Sequence, residues 1–271
     1  MSYGLSPLSK KVTIHTLQKH KASGEKFICV ALYDAPMAAM AEQTGVETVL
    51  VGDSLGMTVL GYDSTLPVTM EHMIYHVEAV ARGNKKSLII GDMPFMSYAT
   101  TDLAMHNAMR IMQAGAHMVK IEGGSWLAPT VTMLAERGIP VCAHIGLTPQ
   151  SVNKLGGFRV QGRTAEGAQT LMNDAKALCD AGADILLMEC VPSQLAAEIT
   201  QAVQVPTIGI GAGKDTDAQV LVINDILGLT PTPPKFSKNF LREAGDIPGA
   251  LTKYAEDVKT GIFPSAEHIF E

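Results

Sequence analysis

Ionisable side chains follow several apolar, strand-like runs of this sequence, and their positions suggest a shared active site. They are Asp34, Asp53 with Ser54, Asp92, Lys120 with Glu122, His144 and Glu189. One such residue would be interpreted as a turn or helix cap, because Asp and Ser favour those positions. Six consecutive runs that end in this way favour an active site, since burying so many charges without a ligand or a metal is costly.

Three of these residues, Asp53, Asp92 and Glu122, carry hard oxygen donors of the kind that Mg²⁺ prefers. A 2-oxo acid can chelate such an ion through its carboxylate and ketone oxygens. The metal then acidifies the adjacent carbon and stabilises the enolate that forms. Lys120 would offset the negative charge of the substrate, and Ser54 could donate a hydrogen bond to the substrate carboxylate.

A general base must remove the proton from that carbon, and Glu189 is the candidate. It lies in the apolar segment ILLMEC, and an apolar environment raises the proton affinity of a carboxylate. His144 could orient the substrate or relay a proton. The alternative for His144 is a structural, hydrogen-bonded histidine at the end of a strand.

The elements that must position these residues are predicted from the hydrophobic pattern. Eight runs are strand-like: 26–34, 48–54, 87–94, 117–124, 140–149, 184–192, 206–213 and 219–228. Six stretches between them have helical periodicity: 35–44, 70–82, 101–114, 125–137, 164–181 and 193–203. The strand-like runs are apolar rather than alternating, which is typical of a parallel sheet covered on both faces. This pattern predicts an α/β protein with one (β/α)₈ barrel, and an open doubly wound sheet is the alternative.

No linker divides the chain, so we expect a single catalytic domain over residues 1–271. An N-terminal helix should precede the barrel, and the proline-rich segment 230–236 should lead into a C-terminal helical tail. The tail is a candidate for packing between subunits or around the barrel. The carboxyl ends of barrel strands face one mouth, where active sites of this fold lie. The charged residues named above are therefore expected to meet there.

Composition limits the partners and the compartment. The net charge of -6 gives no electrostatic reason to expect nucleic acid or an anionic membrane. No apolar run is long enough to span a membrane, and no secretory signal is evident. The four cysteines lie far apart without a C-x-x-C pair, which indicates reduced thiols in a cytoplasmic protein.

Two glycine-rich segments have less specific interpretations. GIGAGKDT at 209–216 departs from the phosphate-loop pattern G-x-x-x-x-G-K-[ST], so we expect a tight turn at the barrel mouth. NKLGGFRVQGR at 153–163 follows the fifth strand and is either a lid over the mouth or a surface loop.

Long stretches of the sequence resemble the ketopantoate hydroxymethyltransferase family of the pantothenate pathway. They include LVGDSLGMTVLGYDSTLPVT, GDMPFMSYAT, AGAHMVKIEGG, HIGLTPQSVNKLGGFRVQGR and MECVP, in the family's order. The resemblance implies a (β/α)₈ barrel that assembles into a decamer. It also implies transfer of a hydroxymethyl group from 5,10-methylenetetrahydrofolate to 3-methyl-2-oxobutanoate, which gives 2-dehydropantoate.

The same resemblance implies roles for individual residues. The family's metal ligands fall on Asp53, Asp92 and Glu122, and its 2-oxo acid contacts fall on Asp53, Ser54, Asp92 and Lys120. Its proton acceptor falls on Glu189, and His144 matches a further active-site histidine.

Two other functions remain open at this point. The first is a lyase or mutase similar to the isocitrate lyase and phosphoenolpyruvate mutase superfamily, although the cysteine loop of those lyases has no counterpart here. The second is a non-catalytic sensor that binds a metal and a keto acid, which would not need a base such as Glu189.

Overall fold

Eight parallel strands close into a barrel in the computed structural model, which describes residues 7–271. The strands are β1 Phe27–Ala31, β2 Thr48–Val51, β3 Leu88–Asp92, β4 Met118–Glu122, β5 Val141–Gly146, β6 Ile185–Glu189, β7 Thr207–Ile210 and β8 Ala218–Val222. Each strand pairs with the next along the chain, and β8 pairs with β1. The (β/α)₈ prediction is confirmed, and the open doubly wound sheet is wrong.

Helices surround the barrel, and short helical turns follow several strands. The α-helices are α1 Ile14–Ser23, α2 Ala35–Gln43, α3 Leu55–Thr58, α4 Met70–Gly83, α5 Thr101–Gln113, α6 Ala128–Glu136, α7 Val152–Leu155, α8 Ala165–Asp180, α9 Ser193–Ala202, α10 Ile223–Ile226, α11 Leu241–Ala244 and α12 Ile247–Lys259. The 3₁₀ helices are Ser125–Leu127, Pro149–Ser151 and Ala266–His268.

The predicted pattern of apolar strands and capped helices explains why the elements form where they do. The strands are buried along almost their whole length, as expected for a parallel sheet between a filled interior and a helical layer. Thr69, Thr100 and Thr164 are the N-caps of α4, α5 and α8, where each side chain accepts a hydrogen bond from the backbone of the first turn. These caps satisfy backbone N–H groups that have no partner within the helix.

Two predicted elements differ in detail. The strand expected at 219–228 ends at Val222, because the chain leaves the sheet there and turns into α10. The helix expected at 125–137 is divided into a 3₁₀ turn and α6. Pro129 lies in the first turn of α6, where its missing N–H costs no helical hydrogen bond.

The connection between β7 and β8 is a loop, whereas helices connect most of the other strands. Residues 211–217 return along the strand and pack Thr216 against Gly209. A Cβ atom at Gly209 would lie 2.7 Å from Thr216 Oγ1, so the close approach requires glycine here. The sequence predicts a tight turn at the barrel mouth, whereas the segment is a series of bends that returns along β7. β7 and β8 share only two register pairs, Ile208 with Ala218 and Gly209 with Gln219.

The helices at the two ends of the chain both pack against the barrel. Lys21 in α1 binds Asp217, which precedes β8, with 2.9 Å between Nζ and Oδ2. In α12, the Tyr254 hydroxyl is 3.2 Å from the carbonyl oxygen of Cys29 and 2.9 Å from that of Gln219. The predicted N-terminal helix and C-terminal helical tail are therefore present, and α12 packs around the barrel.

Within residues 7–271, no helix has both the length and the apolar character needed to cross a bilayer. In the same range, each of the four cysteines is a free thiol.

Candidate active site

The stagger between neighbouring strands brings the predicted residues together inside the barrel. Asp92 on β3 is in register with Lys120 on β4, and Glu122 on β4 is in register with His144 on β5. Glu189 is the last residue of β6. Residues two apart on a strand face the same side, so Lys120 and Glu122 both point inward.

A cavity of about 540 Å³ opens at the carboxyl ends of the strands. The predicted site residues that line it are Asp53, Ser54, Asp92, Lys120, His144 and Glu189. Glu122 is buried beside the cavity and contacts Lys120 and His144. Asp34 is different: it is exposed, and its carboxylate accepts a 2.8 Å hydrogen bond from the amide of Met37 at the start of α2. A cap is therefore the right interpretation for Asp34.

Lys120 is a buried cation between two carboxylates. Its Nζ is 2.6 Å from Asp92 Oδ2 and 3.5 Å from Glu122 Oε2. Burial lowers the pKa of Lys120, but the charges of Asp92, Glu122 and Asp53 outweigh it and raise the pKa well above its usual value. Burial also opposes ionisation of Glu122, yet Lys120 and His144 hold the pKa of that carboxyl below its usual value. The site therefore contains a charged Lys120–Glu122 pair.

Asp53 and Asp92 are two buried carboxyl groups that interact electrostatically. The backbone N–H of Asp53 donates a 3.2 Å hydrogen bond to Asp92 Oδ2. Burial and the charge of Asp92 raise the pKa of Asp53 well above its usual value. Burial, and then Glu122, raise the pKa of Asp92 against the opposing charge of Lys120. Among residues 7–271, Asp92 Oδ1 has no hydrogen-bond partner although it is buried.

This donor set fits a divalent cation that shares its coordination with another ligand. A cation between Asp53 and Asp92 would relieve their repulsion and engage the unpartnered Asp92 Oδ1. Both oxygens of Glu122 already accept hydrogen bonds, Oε1 from the backbone N–H of Gln150 at 2.6 Å and Oε2 from His144 Nδ1 at 3.1 Å. In the described part of the chain, no three His, Cys, Asp or Glu residues form a complete ligand cluster. Two carboxylates, completed by substrate or water, match the residues better than three direct ligands.

Gln150 is a site residue that the sequence analysis missed. Its side-chain amide donates to Asp53 Oδ2 at 2.9 Å and to the carbonyl of Met93 at 3.0 Å, and its Oε1 accepts from the Tyr98 hydroxyl at 2.5 Å. Its backbone N–H donates to Glu122. Pro149 begins the 3₁₀ helix that directs this N–H at the carboxylate, and a Thr-Pro-Gln segment after a strand was the available signal.

His144 connects Glu122 to Glu189. Its Nδ1 contacts Glu122 Oε2 at 3.1 Å, and its Nε2 is 3.4 Å from Glu189 Oε2. Within residues 7–271, Nε2 forms no hydrogen bond. Burial and the charge of Lys120 lower the pKa of His144, which favours a neutral ring. Burial and the charge of Glu122 raise the pKa of Glu189 to about 8, as the apolar segment ILLMEC predicts. Glu189 is thus suited to accept a proton near neutral pH.

Apart from the ionisable residues, most side chains that line the cavity are apolar. Ser54 lies at its inner edge, where its Oγ is 2.8 Å from the Tyr33 hydroxyl. Phe236 and Phe270 contribute apolar walls although they lie far apart in sequence. Phe158, from the segment 153–163 that begins in α7, also lines the cavity and is 55% exposed. The segment therefore forms part of the mouth, which is compatible with either interpretation of it.

The fold and the site together define a (β/α)₈-barrel enzyme whose ionisable residues converge at the carboxyl ends of the strands. A sequence model of ketopantoate hydroxymethyltransferase matches residues 11–266. The chain belongs to the ketopantoate hydroxymethyltransferase family.

Curated relatives match along their full length. A 3-methyl-2-oxobutanoate hydroxymethyltransferase of Saccharophagus degradans is 71% identical over 270 residues, covering 100% of both chains. A protein of the same name from Shewanella oneidensis is 57% identical over 261 residues, covering 96% of this chain and 99% of the relative. The chain is therefore a transferase, and the lyase, mutase and sensor alternatives are wrong.

Solved structures of low sequence identity share the fold. A phosphonopyruvate hydrolase complex with oxalate and Mg²⁺ is 15% identical, with a TM-score of 0.61 and coverage of 95% of this chain and 93% of the other. A 2,3-dimethylmalate lyase is 15% identical, with a TM-score of 0.59 and coverage of 94% and 87%. At this identity, the likeness concerns the fold alone.

Proposed function

We propose that this chain transfers a hydroxymethyl group from 5,10-methylenetetrahydrofolate to 3-methyl-2-oxobutanoate and forms 2-dehydropantoate. The observation that carries the proposal is the composition of one cavity in a member of this family. Asp53, Asp92 and Lys120 line this cavity, and so does Glu189, a carboxyl with a pKa raised to about 8.

In this proposal, Asp53 and Asp92 would hold Mg²⁺, and Glu122 would lie beside it as a further acidic group. When bound, such an ion would supply Lewis-acid polarisation of the substrate ketone, which increases the acidity of the C3 proton. The Ser54 hydroxyl donates a hydrogen bond to the substrate carboxylate, and its contact with Tyr33 orients it.

Glu189 removes the C3 proton of the keto acid, while His144, held by Glu122, positions the Glu189 carboxyl. The resulting carbon nucleophile forms a bond to the methylene carbon of the folate, and the bonds from that carbon to the two folate nitrogens break. One water supplies the hydroxyl oxygen of the product. Its remaining proton and the C3 proton end on the folate nitrogens, which gives tetrahydrofolate.

The direct test is turnover by purified protein with Mg²⁺, 5,10-methylenetetrahydrofolate and 3-methyl-2-oxobutanoate, with 2-dehydropantoate measured by mass spectrometry. Proton removal can be followed separately in D₂O, where the methyl doublet of the keto acid collapses in the NMR spectrum as C3 takes up deuterium. Matched assays with pyruvate, which lacks the branched carbon, should show slower transfer. Absence of product under all these conditions would refute the proposed function.

The proposal also includes a single catalytic domain over residues 1–271, a homodecamer and a cytoplasmic location. Exposed apolar side chains support self-association: Trp126 is 67% exposed, and Met96 is 58% exposed. The net charge of -6 supports small molecules rather than nucleic acid or membranes as partners. Light scattering tests the assembly, and a stable, active monomer would contradict the decamer without affecting the proposed chemistry.

A further inference from the structure

The cavity extends past the residues proposed to handle the keto acid and reaches Asp225. This residue lies in α10, directly after β8, and is 6% exposed. It lines the cavity together with Thr230, Phe236 and Phe270. None of the proposed catalytic steps uses this carboxyl group, so its presence in the cavity needs a separate explanation.

The hydrogen bonds of Asp225 leave part of the carboxylate unused. Its Oδ1 accepts a hydrogen bond from the Thr230 hydroxyl, and this is the only hydrogen bond of the side chain within residues 7–271. A carboxylate oxygen has two lone pairs, so Oδ1 can accept a second bond while Oδ2 accepts another. Burial raises the pKa of Asp225 against the effect of the Thr230 bond. A ligand that donates hydrogen bonds would therefore stabilise the ionised form.

The turn that carries Asp225 contacts the segment that carries Ser54, because the Asn224 side-chain amide donates a 3.5 Å hydrogen bond to the carbonyl of Thr58 in α3. The Tyr33 hydroxyl is 2.8 Å from Ser54 Oγ. Burial raises the pKa of Tyr33 to about 12 against its bond to Ser54, and the charges of Asp225 and then Asp53 add to that rise. Asp225 lines the same cavity as Asp53 and Ser54, so a ligand that contacts Asp225 would occupy space next to the keto acid.

We propose that Asp225 recognises the 2-amino-4-oxopteridine ring of the folate co-substrate, an inference that rests on the proposed function. The N3–H and 2-amino groups of this ring are adjacent donors, and a carboxylate can accept from both in a bidentate arrangement. Phe236 and Phe270 supply aromatic surface for the flat ring in the same cavity. Binding there would bring the one-carbon unit of the folate toward the keto acid.

A structural role for Asp225 makes a different prediction. The bond from Thr230 could serve only to hold the turn that follows α10, in which Leu229 N donates to the carbonyl of Asn224. Thr230→Val removes this bond and keeps the carboxylate. Asp225→Asn keeps the shape of the side chain, but it replaces one acceptor oxygen with an NH₂ group that faces the donors of the ring.

The experiment measures the dissociation constant of tetrahydrofolate by anaerobic calorimetry for wild-type protein and both variants. Asp225→Asn should raise the dissociation constant of tetrahydrofolate on the order of 10–100-fold, because the variant loses a charge-assisted pair of hydrogen bonds. The dissociation constant of Thr230→Val should stay within about threefold of the wild-type value, since loss of one neutral hydrogen bond has a smaller effect. The affinity for 3-methyl-2-oxobutanoate with Mg²⁺ should be unchanged in Asp225→Asn, which also shows that this variant is folded.

A second ligand identifies the contact itself. A 2-desamino-2-methyl analogue of tetrahydrofolate should bind wild-type protein at least about tenfold more weakly than tetrahydrofolate, and Asp225→Asn should lose most of this preference. An unchanged tetrahydrofolate affinity in Asp225→Asn would overturn the inference. The inference would also be overturned if both variants bound tetrahydrofolate equally weakly and Asp225→Asn retained the preference for the 2-amino group. Wild-type protein that neither binds tetrahydrofolate nor forms product would instead overturn the proposed function.

Discussion

Lys120 balances the charge at the centre of the site. Its ammonium lies within 3.5 Å of both Asp92 and Glu122. The buried carboxylates could not remain ionised together without it, because like charges at low dielectric raise each other's pKa. Glu189 forms no ion pair with Lys120 and has a pKa raised to about 8, so one carboxyl group of the cavity can exchange a proton near neutral pH.

Glu189→Gln should test the proposed base directly. The amide preserves the shape of the side chain but cannot accept the proton, so transfer should fall by about 10²–10⁴-fold. The binding of Mg²⁺ and 3-methyl-2-oxobutanoate should stay near the wild-type value. Deuterium uptake at C3 should slow in parallel with transfer. The matched control is Glu136→Gln on the exposed surface of α6, which should behave as wild type.

Deuterium uptake at the wild-type rate in Glu189→Gln, with transfer still lost, would contradict this role. Glu189 would then act at a later step, and His144 would become the better candidate for the base.

The pH dependence of kcat/KM follows from the raised pKa of Glu189. Below a pH of about 8 this carboxyl is increasingly protonated and cannot accept the C3 proton. The rate should therefore rise about tenfold per pH unit on the acidic side and level off above the pKa. Stopped-time assays from pH 5.5 to 9.5 would measure the profile. The residual activity of Glu189→Gln should lack the same transition, and an identical transition there would assign it to another group.

We expect activity to depend on a divalent metal ion bound by Asp53 and Asp92. Treatment with a chelator should abolish turnover, and Mg²⁺, Mn²⁺ or Co²⁺ should restore it, since oxygen ligands discriminate weakly among these ions. Asp92→Ala should weaken metal and keto acid binding in parallel, as calorimetry can show. Asp34→Ala is the control: it should cost about 1 kcal/mol of stability through loss of the α2 cap and leave both affinities unchanged. Full turnover after chelation would contradict the metal assignment.

The residues that the sequence predicts to share a site, and that the structure brings to one cavity, are those whose side chains alone indicate a chemistry. Asp53, Asp92, Lys120, His144 and Glu189 all line the cavity. Asp34 also follows an apolar run, but it is a helix cap. The sequence pattern does not show whether a carboxylate after a strand faces the barrel interior or caps the next helix. Gln150 was missed because a neutral amide carries no chemical signal until its partners are known.

At the scale of elements, strand register could not be predicted, although strand positions were. The short runs showed where β1 to β7 lie, while the stagger that pairs Glu122 with His144 depends on closure of the whole barrel. The end of β8 was placed too late because the apolar residues continue into α10, and hydrophobicity alone does not distinguish a strand end from a buried helical turn.

Gly209→Ala tests the loop that replaces a helix between β7 and β8. The new methyl carbon would lie 2.7 Å from Thr216 Oγ1, so the loop must shift, and unfolding free energy should fall by about 1–3 kcal/mol. Urea unfolding would measure the loss. Thr216→Ala removes the side-chain atoms in the way, so the double variant should lose less than the sum of the two single variants. Additive losses would show that the two positions are independent.

At the scale of the whole molecule, the cavity depends on segments that are far apart in the chain. All eight strands contribute residues to its lining, whereas Phe236 and Phe270 belong to the part of the chain that follows the barrel. The backbone of Phe270 is fixed by the amide of Ser193, which donates to its carbonyl at 3.0 Å. The sequence predicted a tail but not this contribution to the cavity, because the contact is long-range.

β7 and β8 share fewer register pairs than any other two neighbouring strands of the barrel. Only two residue pairs are in register at this seam, compared with five between β5 and β6, and a loop stands where a helix would shield it. Local opening should begin there, so backbone amides of β7 and β8 should exchange with D₂O before those of β5 and β6. Residue-resolved exchange measured by mass spectrometry would show this order. Such opening would loosen the side of the cavity that contains Asp225 and leave the carboxylates at the ends of β2 to β4 in place. It would give the large folate co-substrate proposed above a route of entry that the small keto acid does not need.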